Sequence, residues 1–297
     1  MPRWPQIKPT SRGPLAGAVF LAIIALAGLL WLRSPGLDVR DGRDDRGHNG
    51  IALGTSWIAG EQPAPALGDL TRPIRDHHIA DIYLQLPPPN ADGILTGIDS
   101  ARIDALLYEC SDARGWAQIN IAQLPFDDPR WRRFFITDLR RLLDRQPRLR
   151  GVHLDLSRIP DVSPALLTLL DELRPVLAPD TRLLSIATYP WKEPYFREIA
   201  RRADQLVVPL NVSSSALARF NVYDSVERIG NSLAWSEGKP VLFRIPADKR
   251  LRRGLSTLHF GLRKWQVTDQ YQGIVLDATA APNAAAWAEL RAHFLRP

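Results

Sequence analysis

The sequence predicts an α/β protein, a (β/α)8 TIM barrel carried behind one N-terminal apolar helix, and three observations carry that expectation. Eight short β-branched or apolar runs recur from residue 51 onward: IALGTSWIA at 51, DIYLQL at 81, WAQINI at 116, GVHLDL at 151, RLLSIAT at 182, QLVVPL at 205, KPVLFRI at 239 and GIVLDA at 273. Segments of helical period separate them. Ahead of residue 51 lies an uncharged apolar stretch that stands outside this alternation.

That stretch, PLAGAVFLAIIALAGLLWL at 14–32, has a helical length, at about 1.5 Å per residue, close to the roughly 30 Å hydrocarbon core of a bilayer. It reads as one transmembrane helix. Arg3, Lys8 and Arg12 precede it with no acid, and Asp38, Asp41, Asp44 and Asp45 follow it among arginines. The positive-inside rule then puts residues 1–13 in the cytoplasm and the body across the inner (cytoplasmic) membrane, in the periplasm or outside the cell. Ala25-Leu26-Ala27 resembles a signal-peptidase site, but GLLWL continues the apolar run beyond it, which favours an uncleaved signal anchor. Residues 33–50, RSPGLDVRDGRDDRGHNG, are almost free of apolar side chains and read as a solvated flexible linker to a barrel domain at 51–297.

The body is equipped to fold by packing alone. The 297-residue chain is 45% hydrophobic and 24% charged, enough to bury a sizeable core. Cys110 is its only cysteine, which excludes an intrachain disulfide and a multi-cysteine metal cage. DPRWRRFFITDLRRLLDRQ at 128–146 places Trp131, Phe134, Phe135, Leu139, Leu142 and Leu143 on one helical face and arginines on the other. SPALLTLLDELRPVL at 163–177 opens with Ser163 as a cap and Pro164 at the first helical position. A doubly wound open sheet usually has fewer strands, and no G-x-G-x-x-G follows the first one. The net charge of +6 comes without an aromatic-interleaved basic motif. Nucleic acid is therefore not an expected partner; contact with an anionic polymer or lipid surface is.

Barrel sites lie at the C-terminal ends of the strands. Those ends carry Glu61 and Gln62 after the first strand, Gln85 in the second, Gln118 and Asn120 in the third, and His153, Asp155 and Ser157 at the fourth. Tyr189, Trp191 and Glu193 follow the fifth, Asn211 the sixth; Arg244 and Asp248 belong to the seventh and Asp277 to the eighth. Carboxylates, amides and aromatic rims, with Trp57 and Tyr83 nearby, suit a polysaccharide or oligosaccharide, whose hydroxyls need hydrogen bonds and whose C–H faces stack on rings. Strand alternation turns Gly151, His153, Asp155 and Ser157 one way and Val152, Leu154 and Leu156 the other. The polar set becomes a column rising inside the barrel to its mouth, and a buried Asp155 needs Arg244, His153 or backbone donors.

Gly151-Val152-His153-Leu154-Asp155-Leu156-Ser157 resembles the fourth-strand signature DGxDxDxE of family 18 glycoside hydrolases. LSIATYPW at 184–191 is similar to the fifth strand of a group of uncharacterised bacterial glycoside-hydrolase-like barrels. ADQLVVPLNVSSS at 203–215 is similar to the sixth strand of family 18, with Leu210-Asn211 in place of its Tyr-Asp pair. The resemblance implies that Asp155 matches the aspartate that holds the substrate's acetamido group, that His153 replaces another aspartate, and that Ser157 stands where the catalytic glutamate belongs. A serine hydroxyl does not protonate a glycosidic oxygen at neutral pH.

Other carboxylates are available to replace it. The first and eighth strands of a barrel are neighbours, so Asp277 and Glu61 can pair with Asp155 facing them, and Glu193 can lean over Asp155. Glycosidases need about 5–5.5 Å or about 6.5–9.5 Å between such groups. His153-x-Asp155 offers two metal ligands, but His77, His78 and His259 fall at the wrong end or face to complete a set, so neither a metal nor a cofactor is expected. No G-x-S-x-G occurs, and Cys110 reads as a structural thiol. Two functions fit. One is an anchored glycoside hydrolase with Asp155, Asp277 and Glu61 as its acids and His153, Gln85, Tyr189, Trp191, Glu193, Asn211 and Arg244 around the sugar. The other is a catalytically silent barrel that binds glycan or scaffolds envelope proteins of a polysaccharide system.

Overall fold

The computed structural model describes residues 13–33, 42–212, 218–266, 269–278 and 282–296. Eight parallel strands close on themselves in chain order: β1 (Gly50–Leu53), β2 (Asp81–Gln85), β3 (Arg114–Asn120), β4 (Leu149–Asp155), β5 (Leu183–Ala187), β6 (Gln205–Pro209), β7 (Val241–Pro246) and β8 (Tyr271–Ala278). The closing pair sets Ala52 of β1 beside Asp277 of β8. A helix follows each strand: α2 (Ala64–Asp76), α3 (Ser100–Glu109), α4 (Pro129–Arg145), α5 (Pro164–Leu177), α6 (Glu193–Arg202), α7 (Ala218–Ala234), α8 (Leu251–Trp265) and α9 (Ala284–His293). The expected (β/α)8 barrel is the fold observed.

Local chemistry starts the helices where the sequence suggests. Ser163 caps α5 by accepting from the Leu166 amide, with Pro164 at its first position, and Asp128 caps α4 by accepting from Arg130. α5 buries Leu166, Leu169, Leu170, Leu173 and Leu177, each contributing about 1.5–3 kcal/mol of gross burial free energy. In α4 the apolar stripe is narrower than its sequence suggests. Phe134 is 46% exposed and lies under the Arg130 guanidinium at 5.7 Å, a surface cation–π contact.

The first strand is shorter than IALGTSWIA implies. It ends at Leu53, and the chain turns through a single 3-10 turn at Thr55–Trp57 that buries Trp57 in the core. Inside the barrel, side chains alternate as the strand period requires. Ala52, Tyr83, Trp116, Ala187, Val207, Leu242 and Val275 form an inner cluster separate from the sheet–helix core. Tyr83 is fully buried there, so neither Trp57 nor Tyr83 forms an aromatic rim. Gly151 lies at the narrowest approach: a Cβ on it would sit 2.0 Å from the Leu183 carbonyl oxygen, and no rotamer relieves a clash with backbone.

The two N-terminal segments differ from expectation in different ways. Residues 13–33 form a helix, α1 (Gly13–Arg33), whose described side chains are those of residues 17 and 19–28. Among the described residues no helix is long and apolar enough to cross a membrane. The stretch 33–50 is not a solvated linker throughout. Residues 34–41 lie outside the described ones, but Asp44, Asp45 and Asn49 are buried at the N-terminal pole of the barrel. His259 Nδ1 meets Asp44 Oδ2 at 2.6 Å, the Tyr271 hydroxyl donates to the Asp44 carbonyl at 2.8 Å, and the Arg296 amide donates to Asp45 Oδ2 at 3.1 Å. Asn49 donates to Asp45 and accepts from the Ile274 amide. Low apolar content hid this because the segment is held by hydrogen bonds rather than by apolar area.

Candidate functional site

Three strand ends build the mouth. Arg244, from β7, donates through Nη1 to Asp155 Oδ2 at 2.9 Å and through Nη2 to Asp277 Oδ1 at 3.0 Å. Asp155 Oδ1 accepts the Ser157 amide at 3.0 Å and its hydroxyl at 2.5 Å. Ser157, at the position where the resemblance implies a glutamate, therefore serves to orient Asp155. Of the partners expected for Asp155, Arg244 and a backbone donor, the Ser157 amide, are bonded to it.

The side chain of Asp155 is 10% exposed and that of Arg244 13%, whereas that of Asp277 is 39% exposed, so only Asp277 offers its carboxylate to solvent. Burial, the largest influence on Asp155, would raise its pKa. The Arg244 charge and the Ser157 hydrogen bonds outweigh burial and hold the carboxyl below its ordinary value. Burial likewise works against the Arg244 cation, but Asp277 and Asp155 raise its pKa above the usual arginine value. A carboxyl kept ionised this way is a poor proton donor.

His153 lies below the mouth. It is 2% exposed, its Nδ1 is 2.9 Å from Ser185 Oγ, and its ring meets Tyr83 edge-on at 4.7 Å. Gln205 donates to the Tyr83 hydroxyl at 2.6 Å and to Ser185 at 3.3 Å. Burial depresses the His153 pKa, reinforced by Arg244 and opposed by Asp155, so the ring is neutral. Gln85 is half-buried, and its register neighbour Gln118 keeps a buried Oε1 without a partner among the described residues.

The remaining predicted residues do not converge on Asp155. Glu61 is exposed in the loop after β1, and Asp277 turns to Arg244 instead of pairing with it. Glu193 is the first residue of α6 and pairs with Arg197 at 2.9 Å. Trp191 is buried and donates its indole N–H to the Ile159 carbonyl at 2.9 Å. Tyr189, Trp191 and Asn211 do meet, in a cavity of about 510 Å³ between the loop after β5 and α7. Lys192, Asn231, Trp235 and Arg228 are also in its lining. Sequence reading missed Arg228, Asn231 and Trp235 because the first two sit within α7 and Trp235 just past its end, and none carries a strand-end signal. It also missed Ser185 and Gln205, which strand alternation alone would have turned inward.

No family model and no curated protein matches the chain. Solved structures do match its fold. The Bacillus cereus spore cortex-lytic enzyme SleL superposes with a TM-score of 0.61 at 11% identity, over 84% of this chain and 75% of that one. A class V chitinase from Pseudomonas fluorescens Pf-5 gives 0.60 at 10% identity, over 83% and 99%. The catalytic domain of a family GH18 chitinase from the fern Peteris ryukyuensis gives 0.55 at 13%, over 82% and 97%. The barrel is glycoside-hydrolase-like. At these identities the likeness is one of fold.

Proposed function

We propose that this chain is a membrane-anchored, extracytoplasmic barrel that binds a polysaccharide at the C-terminal face of its strands without cleaving it by a two-carboxylate route. The observation that carries this reading is the Arg244 guanidinium standing between Asp155 and Asp277. It ties up one oxygen of each carboxylate, and it keeps Asp155 ionised, which leaves that carboxyl without a proton to donate. Ser157 supplies no acid in place of the glutamate. Binding is supported by the cavity that Tyr189, Trp191 and Asn211 line, which offers rings for sugar faces and amides for hydroxyls.

The anchoring part rests on the uncharged run at 14–32, its basic N-terminal flank, and a helix whose Val19, Phe20, Leu21, Ile23, Ile24 and Leu26 are all at least half exposed. Envelope proteins of a polysaccharide system are the protein partners such a placement suits. Binding and turnover measured separately on a glycan panel, with the full-length chain in detergent, test the reading. Saturable binding without turnover is expected. Turnover lost in Asp277→Asn would overturn it in favour of hydrolysis, which the solvent-facing Asp277 carboxylate and the exposed Glu61 would then serve.

A further inference from the structure

Arg228 differs from the other inward-reaching arginines. Arg132 meets Glu172, Arg182 meets Asp180, and Arg244 meets two aspartates. Arg228 has one hydrogen bond, from Nη2 to the Thr188 carbonyl at 3.3 Å, and no ion pair among the described residues. Two acids share its cavity wall, both exposed: Glu227 is taken by Lys264, and Asp224 makes no bond to it. Burial pushes the Arg228 pKa down to about 10, with the phenol of Tyr189 the only group opposing it. A half-buried guanidinium without a counter-ion among the described residues is costly to keep, and its planar fork matches a carboxylate in two parallel hydrogen bonds.

We infer that the cavity between the β5–α6 loop and α7 is a subsite for an acidic sugar, whose carboxylate Arg228 binds while Tyr189 and Trp235 flank the ring and Asn211 and Asn231 meet its hydroxyls. This rests on the polysaccharide-binding reading and narrows it to uronate-bearing glycans. The volume of about 510 Å³ falls within the range of about 300–1,000 Å³ for small-molecule sites.

Calorimetric titration of the full-length chain in detergent with tetragalacturonate, and with its methyl-esterified counterpart, tests the inference. The wild type is expected to prefer the acidic oligomer by at least about tenfold. Arg228→Met loses that preference while its affinity for the neutral oligomer changes by less than about twofold, and Arg228→Lys falls between because it keeps charge without the fork. Without ligand, Arg228→Met melts at or above the wild-type temperature; a drop of more than about 5 °C marks a structural arginine and overturns the inference. So does a wild type that binds both oligomers equally, which leaves polysaccharide binding standing. If neither oligomer binds but monomeric galacturonate quenches tryptophan fluorescence in an Arg228-dependent way, the subsite stands and the polysaccharide reading falls. If monomer and oligomers all fail to bind, both fall.

Discussion

Arg244 at the end of β7 lies between two carboxylates, whereas Arg228 on α7 lies against a single carbonyl. The first arrangement is ion-paired. Each terminal nitrogen has its acid, and Asp155 has its Ser157 donors, while the buried Arg244 Nε has no hydrogen-bond partner among the described residues. The second arrangement is incomplete in the way a binding site is, with a cation, rings and amides around an open volume. In this barrel the mouth is filled from within by an ion-paired arginine, and the open volume lies beside it.

Removing the bridging cation should have the largest effect. Arg244→Met leaves Asp155 buried and unpaired and is expected to lower unfolding free energy by about 3–5 kcal/mol in urea denaturation; a loss under about 1 kcal/mol would mean that the mouth is wet and the contrast with Arg228 is false. Acid comes next. His153 has its folded pKa depressed below the ordinary value of about 6.5, so the stability it contributes is complete above that pH and is lost as pH falls toward the folded value. Asp155, also depressed, adds a loss below about pH 4. Unfolding free energy should therefore decline from about pH 6.5 downward, by up to about 1.4 kcal/mol per unit for His153. His153→Asn should flatten the profile between about pH 6 and 4.5 whatever its own cost.

Asp277→Asn should cost about 1 kcal/mol or less, since a carboxylate 39% exposed is partly screened by water. An effect as large as that of Arg244→Met would show that the triad acts as one unit. Arg228→Met should change stability least, by about zero or a slight gain. A loss comparable to the Asp277 variant would remove the distinction from which the comparison starts.

Much of this was legible in the chain because strand period is a local property. The eight runs, the inward turn of Gly151, His153 and Asp155, and Arg244 as a partner for Asp155 all follow from alternation and from the cost of an unpaired buried acid. What alternation does not carry is depth. It turns Tyr83 and His153 inward without saying that Trp116, Ser185 and Gln205 close over them below the mouth. Glu61 in its loop and Glu193 at the start of α6 have no strand-period constraint, and their side chains go to solvent and to the next helical turn. Arg228 was illegible for a third reason: on a helix an arginine is ordinarily a solvated face, and only the packing of α7 beside the β5–α6 loop withdraws it from water.

The hydrogen-bonded segment ahead of β1 has a mechanical consequence. It enters at the pole opposite the mouth and is fastened there to α8 through His259, to β8 through Tyr271 and to the C-terminal stretch through Arg296. Traction on residues preceding it is thus shared among three parts of the molecule before β1 carries any load. The strand ends that hold Asp155, Arg244 and Asp277 lie at the other pole, away from this fastening.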